Sequence, residues 1–209
     1  MNFSEFKNKI QQLKNLSLGG LDAQFKMAPE MRLKYDKDKI KANNPRKAAV
    51  MALFFADNKG KTRFLLTKRA SYKGTHSAQI SFPGGKTEET DNNLEFTSKR
   101  ETQEEVGVQP SQIKIIREMT NVYIPPSNFL VTPFLGFSEN KPNFKANNEV
   151  DVLIEVLLED LLNENSITTM EIKTSYMDKT KVPCFKLNDY IVWGATAMML
   201  SEIKELFVS

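Results

Sequence analysis

Residues 82–108 of this chain, FPGGKTEETDNNLEFTSKRETQEEVGV, decide how its fold is interpreted. The stretch opens on Gly84-Gly85, where a strand can turn sharply and expose its backbone. A helical pattern then runs from about Asn93 to Val106 and stops at Gly107, a residue type common just beyond helix C-termini. We therefore expect a strand, a glycine turn and a helix in direct succession.

Three carboxylates share one face of that helix. Glu101, Glu104 and Glu105 stand at i, i+3 and i+4, a spacing that puts their Cβ atoms about 5–6 Å apart. Like charges so placed repel each other, and a hard cation such as Mg²⁺, which prefers oxygen ligands, would relieve the repulsion. The other side of the helix carries small and apolar residues four positions apart: Leu94, Ser98, Thr102 and Val106. The acidic face is therefore expected to border a cleft or solvent, with a plain solvated surface as the alternative to a metal site.

Composition excludes several other kinds of chemistry. The 209 residues include one cysteine, Cys184, and one histidine, His76, which leaves no internal disulfide, no multi-cysteine zinc site and little room for a histidine-based triad. Apolar residues make up 40% and charged residues 26%, as in a chain that folds as one compact domain with an appended segment. The longest apolar run, residues 48–56, is too short to cross a bilayer, and no apolar signal segment starts the chain. We expect a cytoplasmic protein with no membrane partner, and carboxylates as its chemistry-bearing groups.

The chain is expected to divide near residue 46. Residues 1–46 predict an N-terminal helix, capped by Ser4 and ending near Leu16, followed by a basic arm without clear period. Residues 1–48 hold eleven Lys or Arg against five Asp or Glu, but these charges are interspersed and no aromatic–basic motif accompanies them. Nucleic acid is therefore not the expected partner.

Residues 47–209 predict a mixed α/β (α+β) domain. Residues 48–56 and 62–68 are β-type runs joined by a turn, and further strands are expected at 79–82, 113–119, 129–137, 152–156, 167–176 and 182–192. Helices are expected at 93–106 and 195–207, and Trp193 is expected to be a core aromatic residue. Helices placed between and after strands favour a mixed sheet with helical packing layers.

The helix described first resembles the signature of the Nudix hydrolases, in which Arg-Glu-U-x-Glu-Glu-x-Gly-U, with U apolar, ends a glycine-led segment. Residues 100–108 match it, except that Thr102 replaces an apolar residue. Gly85 lies one position further from Arg100 than the general pattern has it, and the remaining signature glutamate falls at Asp91 or Asn92. A box lengthened by one residue is similar to that of the coenzyme A diphosphatase-like subfamily.

An upstream motif and a downstream one resemble the same subfamily. The upstream matches are Leu65-Leu66-Thr67-Lys68-Arg69-Ala70, His76, Gln79, Ser81 and Phe82-Pro83-Gly84-Gly85. Gly74 and Ala78 depart from it, since the motif has Arg and Gly there. Residues 191–197, IVWGATA, are similar to its Ile-Trp-Gly-Ala-Thr-Ala stretch.

The resemblance implies a Nudix-fold α/β/α sandwich and a homodimer. It also implies an enzyme that hydrolyses the diphosphate bond of coenzyme A or its thioesters, with Mg²⁺ or Mn²⁺ as cofactor. Two alternatives stay open: a Nudix diphosphatase for another nucleotide, such as ADP-ribose, a dinucleoside polyphosphate or a nucleoside triphosphate, and a catalytically silent module that binds nucleotide or RNA.

Roles for individual residues follow from the same resemblance. The implied metal ligands are Glu101, Glu104, Glu105 and the backbone carbonyl of Gly85, and Arg100 is expected to orient a glutamate. The base that takes a proton from water is either Glu101 or a downstream acid, for which we select Glu149. The candidates for binding substrate phosphates are Arg69, Lys73 and His76.

Overall fold

The structure is a computed structural model that describes residues 1–30, 32, 37–70, 79–174 and 177–208. The helices are α1 Phe3–Asn15, α2 Gly20–Phe25, α3 Lys37–Ala42, α4 Leu94–Val106, α5 Leu158–Leu162 and α6 Gly194–Val208. The strands are β1 Arg46–Ala56, β2 Thr62–Arg69, β3 Ile80–Ser81, β4 Gly84–Lys86, β5 Lys114–Glu118, β6 Val122–Ile124, β7 Phe129–Phe137, β8 Val150–Leu157, β9 Ile167–Thr174, β10 Met177–Leu187 and β11 Tyr190–Trp193.

A mixed sheet forms the centre of the fold. Its longest pairing is parallel, between β1 and β7, from Arg46 opposite Phe129 to Phe54 opposite Phe137. The other edge of β1 pairs antiparallel with β2 and with the short β4. Strands β6 and β5 extend the sheet beyond β7, and β3 and β8 pair with β2. A second, antiparallel sheet consists of β9, β10 and β11.

The two faces of β1 contribute to two separate apolar cores, because successive strand residues point to opposite faces of a sheet. Met51 and Phe55 pack with Val106, at the end of α4. Phe54 belongs to the other core, which contains residues of α1 and α6 and continues into the second sheet. Helices therefore cover both faces of the central sheet, and the predicted α/β/α sandwich is confirmed.

The N-terminal helix is anchored in the larger core. Phe6 is fully buried, with ring centroids 5.2 Å from Phe54 and 5.9 Å from Phe207. The helix begins two residues earlier than predicted: Asn2, rather than Ser4, is its N-cap, and Asn2 and Glu5 form a reciprocal capping box. The arm that follows, predicted only as a basic segment without clear period, contains the short helices α2 and α3.

Other boundaries differ for local reasons. The run predicted as one strand at 182–192 is two strands, β10 and β11, because Asn188 and Asp189 adopt positive φ and make a tight turn. Strands β4 and β6 and helix α5, each five residues or fewer, were not predicted. None of the described helices combines the length and the apolar character needed to span a membrane.

Candidate active site

Helix α4 is oriented by a buried face that includes polar residues. Asn93 caps its first turn by accepting a hydrogen bond from the N–H of Phe96, and Gly107 ends it in the left-handed conformation. Ser98, Thr102 and Val106 are fully buried. The Thr102 hydroxyl donates to the carbonyl of Ser98 at 2.6 Å, which explains how a hydroxyl residue occupies a position that is apolar in the signature. Of the three signature glutamates, Glu104 is exposed, Glu101 is partly buried and Glu105 belongs to the buried face.

The two glycines of β4 meet a steric requirement. Gly84 has φ +154°, and a Cβ there would overlap the carbonyl oxygen of Ala49. A Cβ on Gly85 would lie 2.5 Å from Cδ of Glu101 and as close to its carboxylate oxygens. Side chains on real proteins do not approach this closely, so only glycine at position 85 lets the Glu101 carboxylate lie against the β4 backbone.

A cavity of about 440 Å³ opens beside this contact. Five carboxylates line it: Glu88, Glu101, Glu104, Glu105 and Glu149. The cavity has the size typical of small-molecule sites, and its walls also include backbone and apolar groups. The structure thus brings together, in one concave site, the glutamates that the sequence separates by more than forty positions.

Glu105 is the most deeply buried of these carboxylates. It accepts a hydrogen bond from the N–H of Gly84 at 3.1 Å, and Nη2 of Arg69 lies 4.0 Å from its other oxygen. Burial raises the pKa of Glu105 to about 7, while the Gly84 N–H and Arg69 act in the opposite direction and the nearby charges of Glu101 and Glu149 add to the rise.

Glu149 reaches the site on a loop held against β2. Its carbonyl accepts a hydrogen bond from the N–H of Ala70 at 2.8 Å, and its N–H donates to the Asn147 side chain at 2.9 Å. Its carboxylate pairs with Nη2 of Arg69 at 2.9 Å. Arg69 therefore lies between Glu149 and Glu105. The family resemblance had instead implied that Arg69 contacts substrate phosphates.

Arg100 connects Asp91, which precedes α4, to the glutamates of that helix. Its guanidinium donates to both carboxylate oxygens of Asp91, at 2.8 and 3.0 Å, and also contacts Glu101 at 3.0 Å and Glu104 at 3.1 Å. The hydrogen bonds from Arg100 hold the pKa of Asp91 well below its usual range, and Asp91 in turn raises the pKa of Arg100. The Asp91 side chain is only 1% exposed, so this planar, bidentate pair is shielded from water. It fixes the guanidinium against two of the glutamates.

The donor set fits a hard divalent cation. Burial raises the pKa of Glu101, Arg100 lowers it, and the charges of Glu104 and Glu149 raise it further. A bound positive ion would offset the free-energy cost of keeping the buried Glu101 carboxylate ionised beside other negative charges. Carboxylate and carbonyl oxygens are the ligands that Mg²⁺ and Mn²⁺ favour. In the part of the chain that the structure describes, no three such side chains already converge as a metal cage, because Glu104 is drawn to Arg100 and Glu105 to Gly84. The glutamates would have to reorient to share an ion.

Other predicted residues have different outcomes. Lys73 and His76, and the motif departures Gly74 and Ala78, lie outside the described residues. The expectation that Trp193 is a core residue was wrong: this side chain is half-buried and lines the cavity. Trp193 ends β11 directly before α6, at the end of the strand opposite the tight turn at Asn188 and Asp189.

Family comparison agrees with this geometry. The model of the NUDIX domain matches residues 45–173, which include β4, α4 and the Glu149 loop. The chain belongs to the Nudix family. Helix α4 carries the residues that resemble the Nudix signature, and Gly85, which the resemblance matches to the signature glycine, is the residue whose missing side chain accommodates Glu101.

Relatives of known sequence lie in plants and bacteria. "Nudix hydrolase 15, mitochondrial" of Arabidopsis thaliana is 31% identical over 175 residues, covering 80% of this chain and 60% of that protein. "Uncharacterized Nudix hydrolase NudL" of Enterobacter sp. (strain 638) is 32% identical over 179 residues, covering 83% of this chain and 87% of that protein. The chain spans between about half and three fifths of the length of the two plant relatives it matches.

A solved structure shares the fold. The crystal structure of a MutT/nudix family protein from Enterococcus faecalis aligns with 99% of this chain and 74% of its own, with a TM-score of 0.54 and 17% identity. At that identity the likeness concerns the architecture alone.

One cavity residue carries no sequence signal. Arg32 comes from the N-terminal arm, where no period or motif marks it, and yet it lines the same cavity as the glutamates. Only the packing of the arm on β6 and α6 reveals its position.

Proposed function

We propose that this chain hydrolyses the diphosphate bond of coenzyme A or its thioesters, giving adenosine 3′,5′-bisphosphate and 4′-phosphopantetheine. The observation that carries the proposal is the single cavity in which Glu101, Glu104, Glu105 and Glu149 meet beside the β4 backbone. Membership of the Nudix family supports diphosphate chemistry at this place. The coenzyme A substrate rests on the resemblance of residues 65–85 and 191–197, of which Arg69, residues 79–82, Gly84, Gly85 and residues 193–196 line the cavity.

Mg²⁺ or Mn²⁺ would be held by Glu101, Glu104, Glu105 and the carbonyl of Gly85. When bound, the ion neutralises diphosphate oxygens, activates water and stabilises the leaving phosphate. The chain contributes the framework: β4 presents its backbone without side chains at 84 and 85, and α4 presents its carboxylates on one face.

Arg100 is the positioning residue of this framework. Its fork is fixed by Asp91 on one side, so its other N–H groups hold Glu101 and Glu104 at defined places on the helix. Residues that orient ligands in this way commonly change metal affinity or activity by about 10–100-fold when replaced.

Two carboxylates are candidates for accepting the proton of the attacking water. Glu101 lies against β4, and Glu149 lies across the cavity on a loop with its side chain 64% exposed. Replacing a pure proton acceptor lowers kcat and leaves metal affinity unchanged, whereas replacing a ligand weakens metal binding. Comparing Glu149→Gln with Glu101→Gln by these two readouts assigns the roles.

The test of the substrate is product analysis. Purified protein with Mg²⁺ or Mn²⁺ is incubated separately with coenzyme A, acetyl-coenzyme A, ADP-ribose, diadenosine polyphosphates and nucleoside triphosphates, and the products are separated by chromatography. Fastest release of adenosine 3′,5′-bisphosphate from the coenzyme A compounds supports the proposal. Faster cleavage of another nucleotide overturns the substrate while keeping Nudix chemistry, and no cleavage of any compound favours a silent binding module.

We also propose that the protein is a homodimer, as the family resemblance implies. Light scattering at the concentrations used for activity measurements would give twice the chain mass of 23.8 kDa, and a monomeric mass would contradict the proposal. A cytoplasmic location stays a prediction of the sequence.

A further inference from the structure

One wall of the cavity is formed where β11 ends and α6 begins. Trp193, Gly194, Ala195 and Thr196 all line it, together with Met199 one turn further along the helix. Gly194 has φ +66°, in the left-handed region that favours glycine, so the chain turns sharply between the strand and the helix. Four successive residues of this junction therefore contribute to the site.

Strand alternation separates Trp193 from the apolar core beneath β11. Val192 is 1% exposed and belongs to the larger core, whereas the next residue, Trp193, is half-buried and lines the cavity. Successive residues of a strand point to opposite faces of its sheet. The core position of Val192 therefore directs the indole of Trp193 away from that core.

This wall is joined to the acidic end of the cavity through β3. The hydroxyl of Thr196 donates to the carbonyl of Ile80, on β3, at 2.9 Å. Two residues after β3 the chain enters β4, whose Gly84 N–H donates to Glu105. The indole and the glutamates thus line one cavity of about 440 Å³, a size that accommodates a small molecule with more than one binding group.

Trp193 is the aromatic side chain of the cavity best placed to contact a ligand. Among the described lining residues, three are aromatic: Phe82, Phe129 and Trp193. Phe82 is only 2% exposed and packs in the larger core. The ring of Phe129 also packs against that core, and the guanidinium of Arg46 lies 4.1 Å from its centroid. Trp193 combines the largest ring system of the three with a partly exposed position.

An indole favours one class of ligand group over another. Nucleobases stack on aromatic side chains because each base presents a planar π face, and this contact does not depend on which base is present. An aliphatic chain gains from burial of apolar area, which a leucine or methionine side chain supplies as well as an aromatic ring does. A tryptophan at the cavity wall therefore suits a base better than an aliphatic chain.

We propose that Trp193 stacks against the base of the nucleotide substrate, so that the junction of β11 and α6 selects diphosphates that carry an aromatic base. This inference rests on the proposed function, since coenzyme A carries adenine on one side of its diphosphate. Trp193 is then a specificity-determining residue, whereas cleavage is assigned to β4 and α4.

The test uses the fluorescence of Trp193, which is the only tryptophan in the sequence, so that the signal reports on this side chain alone. The full chain is titrated separately with AMP, with ribose 5-phosphate, which keeps the sugar and phosphate but lacks the base, and with 4′-phosphopantetheine. We expect saturable quenching by AMP and little change with the other two compounds.

Calorimetry then measures the Kd of AMP and of ribose 5-phosphate for wild type, Trp193→Phe and Trp193→Leu. In Trp193→Leu the affinity for AMP should fall about 5–100-fold, the range for one base stacked on an aromatic side chain. The affinity for ribose 5-phosphate should change by less than about twofold, and Trp193→Phe, which keeps a ring, should bind AMP within about fivefold of wild type.

The matched control is Tyr190→Leu, which replaces the other aromatic residue of β11 at the opposite end of the strand. Tyr190 is also half-buried but is not one of the described residues that line the cavity, and its replacement should leave the Kd of AMP unchanged. Thermal unfolding of each variant by circular dichroism checks that the fold persists.

Three results would overturn the proposal. The first is an unchanged Kd of AMP in Trp193→Leu, and the second is quenching by 4′-phosphopantetheine as strong as that by AMP. The third is an equal loss of affinity for AMP and ribose 5-phosphate in a variant that unfolds like the wild type. Failure of the proposed function would look different: the wild type would not cleave coenzyme A, while quenching by AMP and the loss of AMP affinity in Trp193→Leu would still report on Trp193.

Discussion

The carboxylate of Glu101 occupies the space that any side chain at Gly85 would need. A Cβ on Gly85 would come within 2.5 Å of Cδ of Glu101, and Arg100 donates a hydrogen bond to one oxygen of the same carboxylate. The strand residue and the helix residue are sixteen positions apart and belong to different elements, so the site depends on how closely α4 packs on β4.

Gly85→Ala should therefore impair activity more than stability. The added methyl group would displace a flexible carboxylate rather than backbone, and we expect kcat/KM to fall at least about a hundredfold, as for loss of one preorganised charged group. The control is Gly60→Ala, at φ +74° with open space around its Cβ. That substitution should cost about 1–2 kcal/mol in the free energy of unfolding and leave kcat/KM unchanged. Full activity in Gly85→Ala would contradict the role of this contact.

Asp91→Asn tests the anchor of Arg100. The substitution keeps the size of the side chain and removes the charge opposite a guanidinium that is 14% exposed. We expect a loss of about 10–100-fold in activity, seen mainly as a higher Mg²⁺ concentration for half-maximal rate. Glu95→Gln, which breaks an i,i+4 pair with Lys99 on the same helix, is the control and should change little. An unchanged metal dependence in Asp91→Asn would show that the pair does not position the ligands.

Phe6→Ala tests whether the N-terminal helix belongs to the domain core. The ring is fully buried against Phe54 and Phe207, and removing such a side chain costs about 3–5 kcal/mol. For a chain of this size, the Tm should fall by about 6–20 °C. Gln11→Ala, on the exposed face of the same helix, should shift it by less than about 2 °C. A Tm unaffected by Phe6→Ala would mean that this helix folds independently.

The contacts of Asp57 predict how the free energy of unfolding changes as the pH becomes acidic. Burial alone would raise its pKa, but hydrogen bonds from Arg63 and from the N–H groups of Lys61 and Lys59 outweigh burial, and the pKa is lowered. Such a carboxyl group has a lower pKa in the folded chain than in the unfolded chain. It stabilises the fold fully at pH values above its unfolded pKa, about 4. This contribution is lost as the pH falls through its folded pKa.

The corresponding experiment is urea unfolding of Asp57→Asn and wild type between pH 2 and pH 7. We expect the wild type to be the more stable above about pH 5, with the difference shrinking below about pH 4. A difference that stays constant across this range would show that the ion pair and turn contacts of Asp57 do not contribute through its charge.

Sequence patterns predicted the elements whose residues alternate or step regularly. Strand β7 was found at the predicted residues 129–137, and α4 begins one residue after the predicted start because Asn93 is its cap. The three glutamates of α4 were predicted from helical spacing alone, and the structure brings them to one cavity. Regular elements of this kind are specified locally.

Features that depend on long-range pairing were not accessible to the same reasoning. The parallel pairing of β1 with β7 joins segments about eighty residues apart, and β4 exists because three residues pair with β1. Arg32 reaches the cavity only because the arm packs on β6 and α6. These contacts arise from tertiary packing, for which neither periodicity nor a motif gives a signal.

The most direct measurement is cation-dependent cleavage of coenzyme A followed by phosphorus NMR, with wild type, Glu104→Gln and Glu95→Gln. Both variants remove one negative charge from α4, but only Glu104 lines the cavity. We expect wild type and Glu95→Gln to release adenosine 3′,5′-bisphosphate when Mg²⁺ or Mn²⁺ is present and not when it is chelated. Glu104→Gln should retain the wild-type unfolding transition and lose at least about a hundredfold in rate. Undiminished hydrolysis by Glu104→Gln would contradict a catalytic metal site built on this helix.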